Sequence, residues 1–199
     1  MSKDLETNRR RLFSLDASLR MEADKMLEES GLAKIIREEG FKPVGSYTMQ
    51  TMTWRDLDFE RYDESPNWQE HWELGTKIAR AGWAWRLRCL DAYRETDGKD
   101  KGLYWGIWMT NPAGGETWKL DFWTARREEF ESAAPNRPLW ESRLTKDTRY
   151  DILVIKEAVC NQPEYRQSLL SVHIYEAVLE NGIKGIDDFW DWWRKKYGK

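Results

Sequence analysis

The chain has 199 residues, of which 40% are hydrophobic and 34% are charged, and its formal net charge is −3. This composition excludes extended disorder and is typical of a globular protein with a sizeable core. Because there is no global positive field, we expect no binding of long nucleic acid. The N-terminus is polar and no apolar run is long enough to cross a membrane. We therefore expect a cytoplasmic protein without a membrane partner.

Apolar spacing and breaker residues predict the elements of the first half. Residues 16–39 are predicted as a helix, because apolar side chains recur at intervals of three and four. Two short strands follow at residues 41–47 and 55–62, and acidic and apolar side chains alternate in the second. After a breaker cluster, residues 68–94 are predicted as one long helix with two internal glycines.

The second half begins with a predicted hairpin and is otherwise helical. Residues 103–110 and 117–124 are β-prone and flank a turn-forming segment. Three helices follow, predicted at residues 146–159, 163–181 and 186–196. The predicted fold class is α+β, with a small mixed sheet and flanking helices in residues 1–125. Residues 126–199 are predicted to form a helical region packed on that core.

Three acidic side chains carry the chemical signal of the sequence. Asp56 and Asp58 point to the same face of their strand, because side chains in a strand repeat with period two. Asp121 is the one acid in the strand segment Trp118–Lys119–Leu120–Asp121–Phe122–Trp123. If the two strands are neighbours, three carboxylates meet on one side of the sheet, and such oxygen ligands suit Mg²⁺.

A glycine–serine turn precedes the paired acids. Gly45 and Ser46 lie at the end of the first predicted strand, and nine residues separate Ser46 from Asp56. Such a turn can bring backbone amides close to a phosphate group. A phosphate contact beside a divalent metal is typical of phosphoryl and nucleotidyl transfer.

This ordered set resembles the polymerase-β-like nucleotidyltransferase superfamily, which includes small antibiotic-modifying adenylyltransferases. The resemblance covers residues 41–124. It implies that Gly45 and Ser46 contact the nucleotide phosphates. It also implies that Asp56 and Asp58 ligate Mg²⁺ or Mn²⁺, and that Asp121 completes the site as metal ligand and general base.

The resemblance predicts a metal-dependent nucleotidyltransferase. Such an enzyme would transfer a nucleoside monophosphate from a nucleoside triphosphate, with ATP as the expected donor, to a hydroxyl of a small-molecule acceptor. An alternative is a non-catalytic nucleotide-sensing or protein-interaction module on the same fold. A third interpretation uses the thirteen tryptophans to bind carbohydrate or stack on bases, although a tryptophan-rich core is the simpler explanation.

Each candidate residue also has a structural interpretation. Asp56 and Asp58 could form a solvated strand face, and Gly45–Ser46 could be an ordinary turn. Asp121 could be a strand acid paired with Lys119 or an arginine. Basic side chains of the helix at residues 146–159 could reach a phosphate.

Overall fold

A computed structural model describes residues 3–81, 83–95, 101–165 and 167–198. Its helices and strands have these bounds in chain order: α1 (Lys3–Glu29), α2 (Leu32–Glu38), β1 (Lys42–Val44), α3 (Ser46–Met49), β2 (Asp56–Tyr62), α4 (Trp68–Arg80), β3 (Ala84–Asp91), β4 (Leu103–Met109), β5 (Trp118–Ala125), α5 (Arg127–Ala133), α6 (Arg137–Ser142), α7 (Lys146–Val159), α8 (Ser171–Tyr175), a π-helical turn (Glu176–Glu180) and α9 (Ile186–Tyr197).

Contacts within the chain define two compact units. The sheet unit comprises residues 19–48 and 54–135, and the helical unit comprises residues 1–18, 49–53 and 136–199. The division into residues 1–125 and 126–199 remains a prediction about domains. The contacts group residues 126–135 with the sheet.

The sheet unit has the predicted α+β organisation. Its described strands form one mixed sheet in the order β1-β2-β5-β4-β3. β2 and β5 are parallel, whereas the pairs β1–β2, β5–β4 and β4–β3 are antiparallel. The predicted strand at residues 55–62 and the predicted hairpin are both confirmed, because they correspond to β2, β4 and β5.

The long helix predicted over residues 68–94 is wrong in its second half. The helix ends at Arg80, and Ala84–Asp91 form β3, which pairs antiparallel with β4. Gly82, one of the two glycines within the predicted helix, lies outside the described residues. Leucine, arginine and alanine suit helices locally, but the ladder with β4 satisfies the backbone of this segment as a strand.

One face of the sheet is apolar and covered by helices. Phe59 and Phe122 stack on this face with ring centroids 4.8 Å apart. Helix α4 packs closely on β4 at Gly75, where an added Cβ would lie 2.1 Å from the ring of Trp105. The indole of Trp118 donates to Glu22 of α1 at 3.0 Å. These contacts fix the sheet from one side and leave the other side for polar groups.

The helical unit is built around α7. Thr145 and Thr148 form a capping box that begins this helix, and α7 packs against α8, the π-helical turn and α9. The predicted helices at residues 146–159 and 186–196 are therefore confirmed. The helix predicted over residues 163–181 begins only at Ser171, because turns occupy the described residues of 163–170. Arg166 lies outside the described residues.

No described helix combines the length and the apolar character that spanning a membrane requires.

His71 of α4 is a fully buried titratable group in the sheet unit. Its ring lies beside Trp105, with centroids 5.9 Å apart. Burial lowers the pKa of His71 from 6.5 to about 4, since it disfavours the charged ring. The backbone of Tyr104 and the carboxylate of Asp91 act in the opposite direction, and Arg61 adds to the lowering of the pKa.

We expect the stability of the protein to fall as the pH drops from 6.5 to 4. In this window the unfolded chain binds a proton at His71 and the folded chain does not, which costs about 3 kcal/mol over the window. Urea unfolding at several pH values measures this slope. His71→Phe should reduce the slope, whereas His173→Gln, which changes the other histidine, should retain it. An unchanged slope in His71→Phe would contradict the assignment.

Candidate functional site

The second face of the sheet brings the predicted acids to adjacent strands. We call it the carboxylate face and define it by Asp56, Asp58, Lys119 and Asp121. In the parallel ladder, Asp58 pairs in register with Asp121, and Asp56 pairs with Lys119. Register partners project to the same side of a sheet, so the condition set in the sequence analysis, that these two strands are neighbours, is met.

Gly45 lies directly against this face. Its backbone is in the left-handed region with φ 68°, and an added Cβ would lie 2.9 Å from Asp58 Oδ2. The antiparallel pairing of Val44 with Asp58 explains this proximity, because Gly45 follows Val44 directly. Ser46 begins α3 immediately afterwards. The turn and the second acid of the Asp-x-Asp pair therefore form one local arrangement, as the sequence predicted.

The turn is anchored by its own side chains. Thr48 Oγ1 donates to the carbonyl of Gly45 at 3.0 Å, and the Tyr47 hydroxyl donates to Asp24 of α1 at 2.6 Å. Burial, together with the carboxylate of Asp24, raises the pKa of Tyr47 to about 12. Tyr47 thus remains a neutral donor that holds α3 against α1 at physiological pH.

Lys119 is the central cation of the carboxylate face. Its ammonium contacts Asp121 Oδ2 and lies 3.9 Å from Asp56 Oδ1. Sequence reasoning gave this ion pair as the structural interpretation of Asp121, and the contact is present. The carboxylates of Asp121 and Asp56, on neighbouring strands, would otherwise repel each other, and the ammonium of Lys119 reduces that repulsion.

Tyr104 is a second partner of Asp121 that sequence reasoning missed. The Tyr104 hydroxyl donates to Asp121 Oδ1 at 2.6 Å. Burial raises the pKa of Tyr104, and the negative charge of Asp121 adds to the effect. The hydroxyl reaches Asp121 over Gly106, where a Cβ would lie 2.3 Å from the Tyr104 oxygen. The glycine at position 106 was the signal available in the sequence. Only the strand register shows that it leaves room for the Tyr104 hydroxyl to reach Asp121.

The acidic side chains of this face are of the chemical type that binds a divalent cation. Asp56, Asp58 and Asp121 are hard oxygen donors on one face, and Asp58 and Asp121 are register partners. In the described part of the chain, however, no three acidic, histidine or cysteine side chains converge closely enough to hold a metal ion. Lys119 supplies the positive charge between Asp121 and Asp56. A divalent cation at these acids would have to displace its ammonium.

The other end of the same face is basic and aromatic. β3 contributes Arg86 and Arg88, which pair in register with Trp108 and Gly106 of β4. The Arg86 guanidinium lies over the Trp108 ring, 4.4 Å from its centroid. Both arginines are exposed. Sequence reasoning missed them because residues 84–91 were predicted as helix.

The basic side chains of α7 have structural roles within the helical unit. Arg149 donates to the carbonyl of Gln50 at 3.0 Å and lies 3.6 Å from the buried carboxylate of Asp16. Lys156 is fully buried beside the ring of Tyr175. These contacts fix the helical unit, and a phosphate-binding role for α7 remains a prediction.

Neither a protein-family model nor a curated protein sequence matches the chain.

We expect Lys119→Met to bind divalent metal more tightly than the wild type. Removing the ammonium eliminates the cation that competes for Asp121 and Asp56, so Mn²⁺ affinity should rise roughly tenfold. Stability without metal should fall by about 1 kcal/mol, because Asp121 loses a charged partner. Mn²⁺ titration by calorimetry or EPR measures the first effect, and urea unfolding in EDTA measures the second.

Lys77→Met is the matched control, because the Lys77 ammonium also contacts a carboxylate, that of Glu39 on the helical side of the sheet. This variant should leave Mn²⁺ binding unchanged. Equal Mn²⁺ affinity in Lys119→Met and the wild type would show that the ammonium does not compete with a metal.

Proposed function

We propose that the protein is a metal-dependent nucleotidyltransferase. It transfers a nucleoside monophosphate from a nucleoside triphosphate, with ATP as the expected donor, to a hydroxyl of a small molecule. The observation that carries the proposal is the adjacency of Gly45, Asp58 and Asp121: an ideal Cβ on Gly45 lies 2.9 Å from Asp58 Oδ2, and Asp58 pairs with Asp121.

Each residue has a defined task in this reaction. The backbone at Gly45 and Ser46 binds the phosphates, since the glycine permits close approach of a ligand. Asp56, Asp58 and Asp121 would hold Mg²⁺ or Mn²⁺, which when bound neutralises phosphate charge and lowers the pKa of an attacking hydroxyl.

The proposed reaction forms one bond to the α-phosphorus of the nucleotide and breaks another. The acceptor oxygen forms a bond to the α-phosphorus, and the bond from that phosphorus to the bridging oxygen breaks. Pyrophosphate leaves with the electron pair, and the Asp121 carboxylate takes the hydroxyl proton. The hydrogen bond from the Tyr104 hydroxyl orients Asp121.

A second function is favoured by one specific observation. Lys119 already supplies positive charge between Asp121 and Asp56, which suits a module that senses a nucleotide without turnover. Release of pyrophosphate from ATP in the presence of an acceptor separates the two functions. The enzyme would produce it, and the sensing module would bind the nucleotide unchanged.

We expect Asp56→Asn, Asp58→Asn to abolish metal-dependent nucleotide binding, because two of the three proposed carboxylate ligands lose their charge. Calorimetric titration of MgATP and MgGTP into the wild type and the double variant measures the effect. Glu38→Gln, Glu73→Gln is the control, because it removes the same charge from exposed helical positions of the sheet unit. Failure of well-folded wild type to bind either nucleotide with Mg²⁺ or Mn²⁺ would refute the proposal.

We expect Gly45→Ala to weaken MgATP binding by about tenfold or more. The new methyl group would press on the Asp58 carboxylate and would occupy the space in which the backbone approaches a phosphate. Gly182→Ala is a matched control for backbone strain, because its φ is 66° and its Cβ would meet nothing within 4 Å. Both variants should lose stability through backbone strain, and Gly45→Ala should lose more because of the added contact with Asp58. Calorimetry should detect weaker MgATP binding in Gly45→Ala alone.

A further inference from the structure

Charge changes sign across the carboxylate face from β2 to β3. One row of register partners runs from Asp58 through Asp121 and Gly106 to Arg88. The neighbouring row runs from Asp56 through Lys119 and Trp108 to Arg86. Acids thus begin both rows and arginines end both of them, about 14 Å away across three strand spacings.

In the described part of the chain, neither Arg86 nor Arg88 has an acidic partner. Among the described residues, no carboxylate forms an ion pair with Arg86 or Arg88. The Arg86 guanidinium lies over the Trp108 ring, and the Lys119 ammonium lies 6.0 Å from the centroid of the same ring. Exposed guanidinium groups arranged beside an aromatic ring are suited to bind carboxylate or phosphate.

The basic end of the face lies close to the acids. Gly106 pairs in register with both Asp121 and Arg88, and the Tyr104 hydroxyl donates to Asp121. Arg88 lies two strand spacings from Asp121, or about 10 Å between backbones. An extended arginine side chain covers much of that distance. A small molecule could therefore present a hydroxyl to Asp121 while the arginines bind its anionic group.

We propose that Arg86 and Arg88, with Trp108, form the acceptor subsite, and that the acceptor is a small hydroxy compound carrying a carboxylate or phosphate group. The inference rests on the proposed function, because it names the substrate class of the same site. It disfavours cationic acceptors such as aminoglycosides, which two unpaired arginines would repel.

The position of the arginines favours the acceptor over the nucleotide. Gly45, the proposed phosphate contact, follows β1, which is one edge strand of the sheet, and the arginines lie on β3, the opposite edge strand. The two edges are four strand spacings apart, about 19 Å. The triphosphate bound at Gly45 therefore leaves β3 open for the acceptor.

The test measures acceptor binding and nucleotide binding separately by calorimetry. Without nucleotide, ribose 5-phosphate is compared with ribose, gluconate with glucose, and kanamycin serves as the cationic probe. MgATP is titrated in a parallel arm. The proteins are wild type, Arg86→Met/Arg88→Met, and the control Arg37→Met/Arg80→Met. The control removes two exposed arginines from α2 and α4.

We expect the wild type and the control to bind at least one anionic probe roughly tenfold more tightly than its neutral partner and than kanamycin. Arg86→Met/Arg88→Met should lose this preference and bind MgATP normally. Any of four results would overturn the subsite. In the wild type, these are equal binding of the neutral and anionic probes, preference for kanamycin, or no binding of either anion. The fourth is an Arg86→Met/Arg88→Met variant that loses MgATP binding but still binds the anions. If wild type binds anions through these arginines and does not bind MgATP, the subsite is supported and the transferase proposal fails.

Discussion

The parallel pairing of β2 with β5 is the constraint on which the site depends. This register sets Asp58 beside Asp121 and Asp56 beside Lys119. Carboxylates on neighbouring strands lie close enough to repel each other, so the fold needs a compensating positive charge. Lys119 supplies that charge on the same strand as Asp121, and Tyr104 adds a hydrogen bond. The carboxylates of the candidate site are thus stabilised by groups that the strand register places beside them.

The same pairing explains why the intervening chain matters to the candidate site. Parallel strands cannot be joined by a tight turn, so the chain must cross from the end of β2 back to the start of β5. Within that crossover, α4 covers the apolar face, while β3 and β4 extend the sheet. The extension adds Tyr104, Trp108 and the two arginines to the carboxylate face. The crossover that the parallel pairing requires therefore also adds a hydroxyl, an indole and two guanidinium groups to the candidate site.

The two faces of the sheet have different roles: the apolar face is densely packed, and the opposite face carries the carboxylates. On the apolar face, the stacked rings of Phe59 and Phe122 and the close approach of Trp105 to Gly75 give dense packing. Each inward residue of β2 and β5 fixes the direction of its outward neighbour, because the strand alternates. Precise packing behind the sheet consequently orients the carboxylates of the candidate site in front of it.

The sequence by itself determined the local features of this protein: the shared face of Asp56 and Asp58, the hairpin of β4 and β5, and the turn at Gly45. These depend on strand periodicity and turn chemistry, which act over a few residues. The tertiary structure alone decided that β5 pairs with β2, that residues 84–91 form a strand, and that Tyr104 contacts Asp121. Strand partners are chosen by contacts between distant segments, and no local pattern in the sequence encodes that choice.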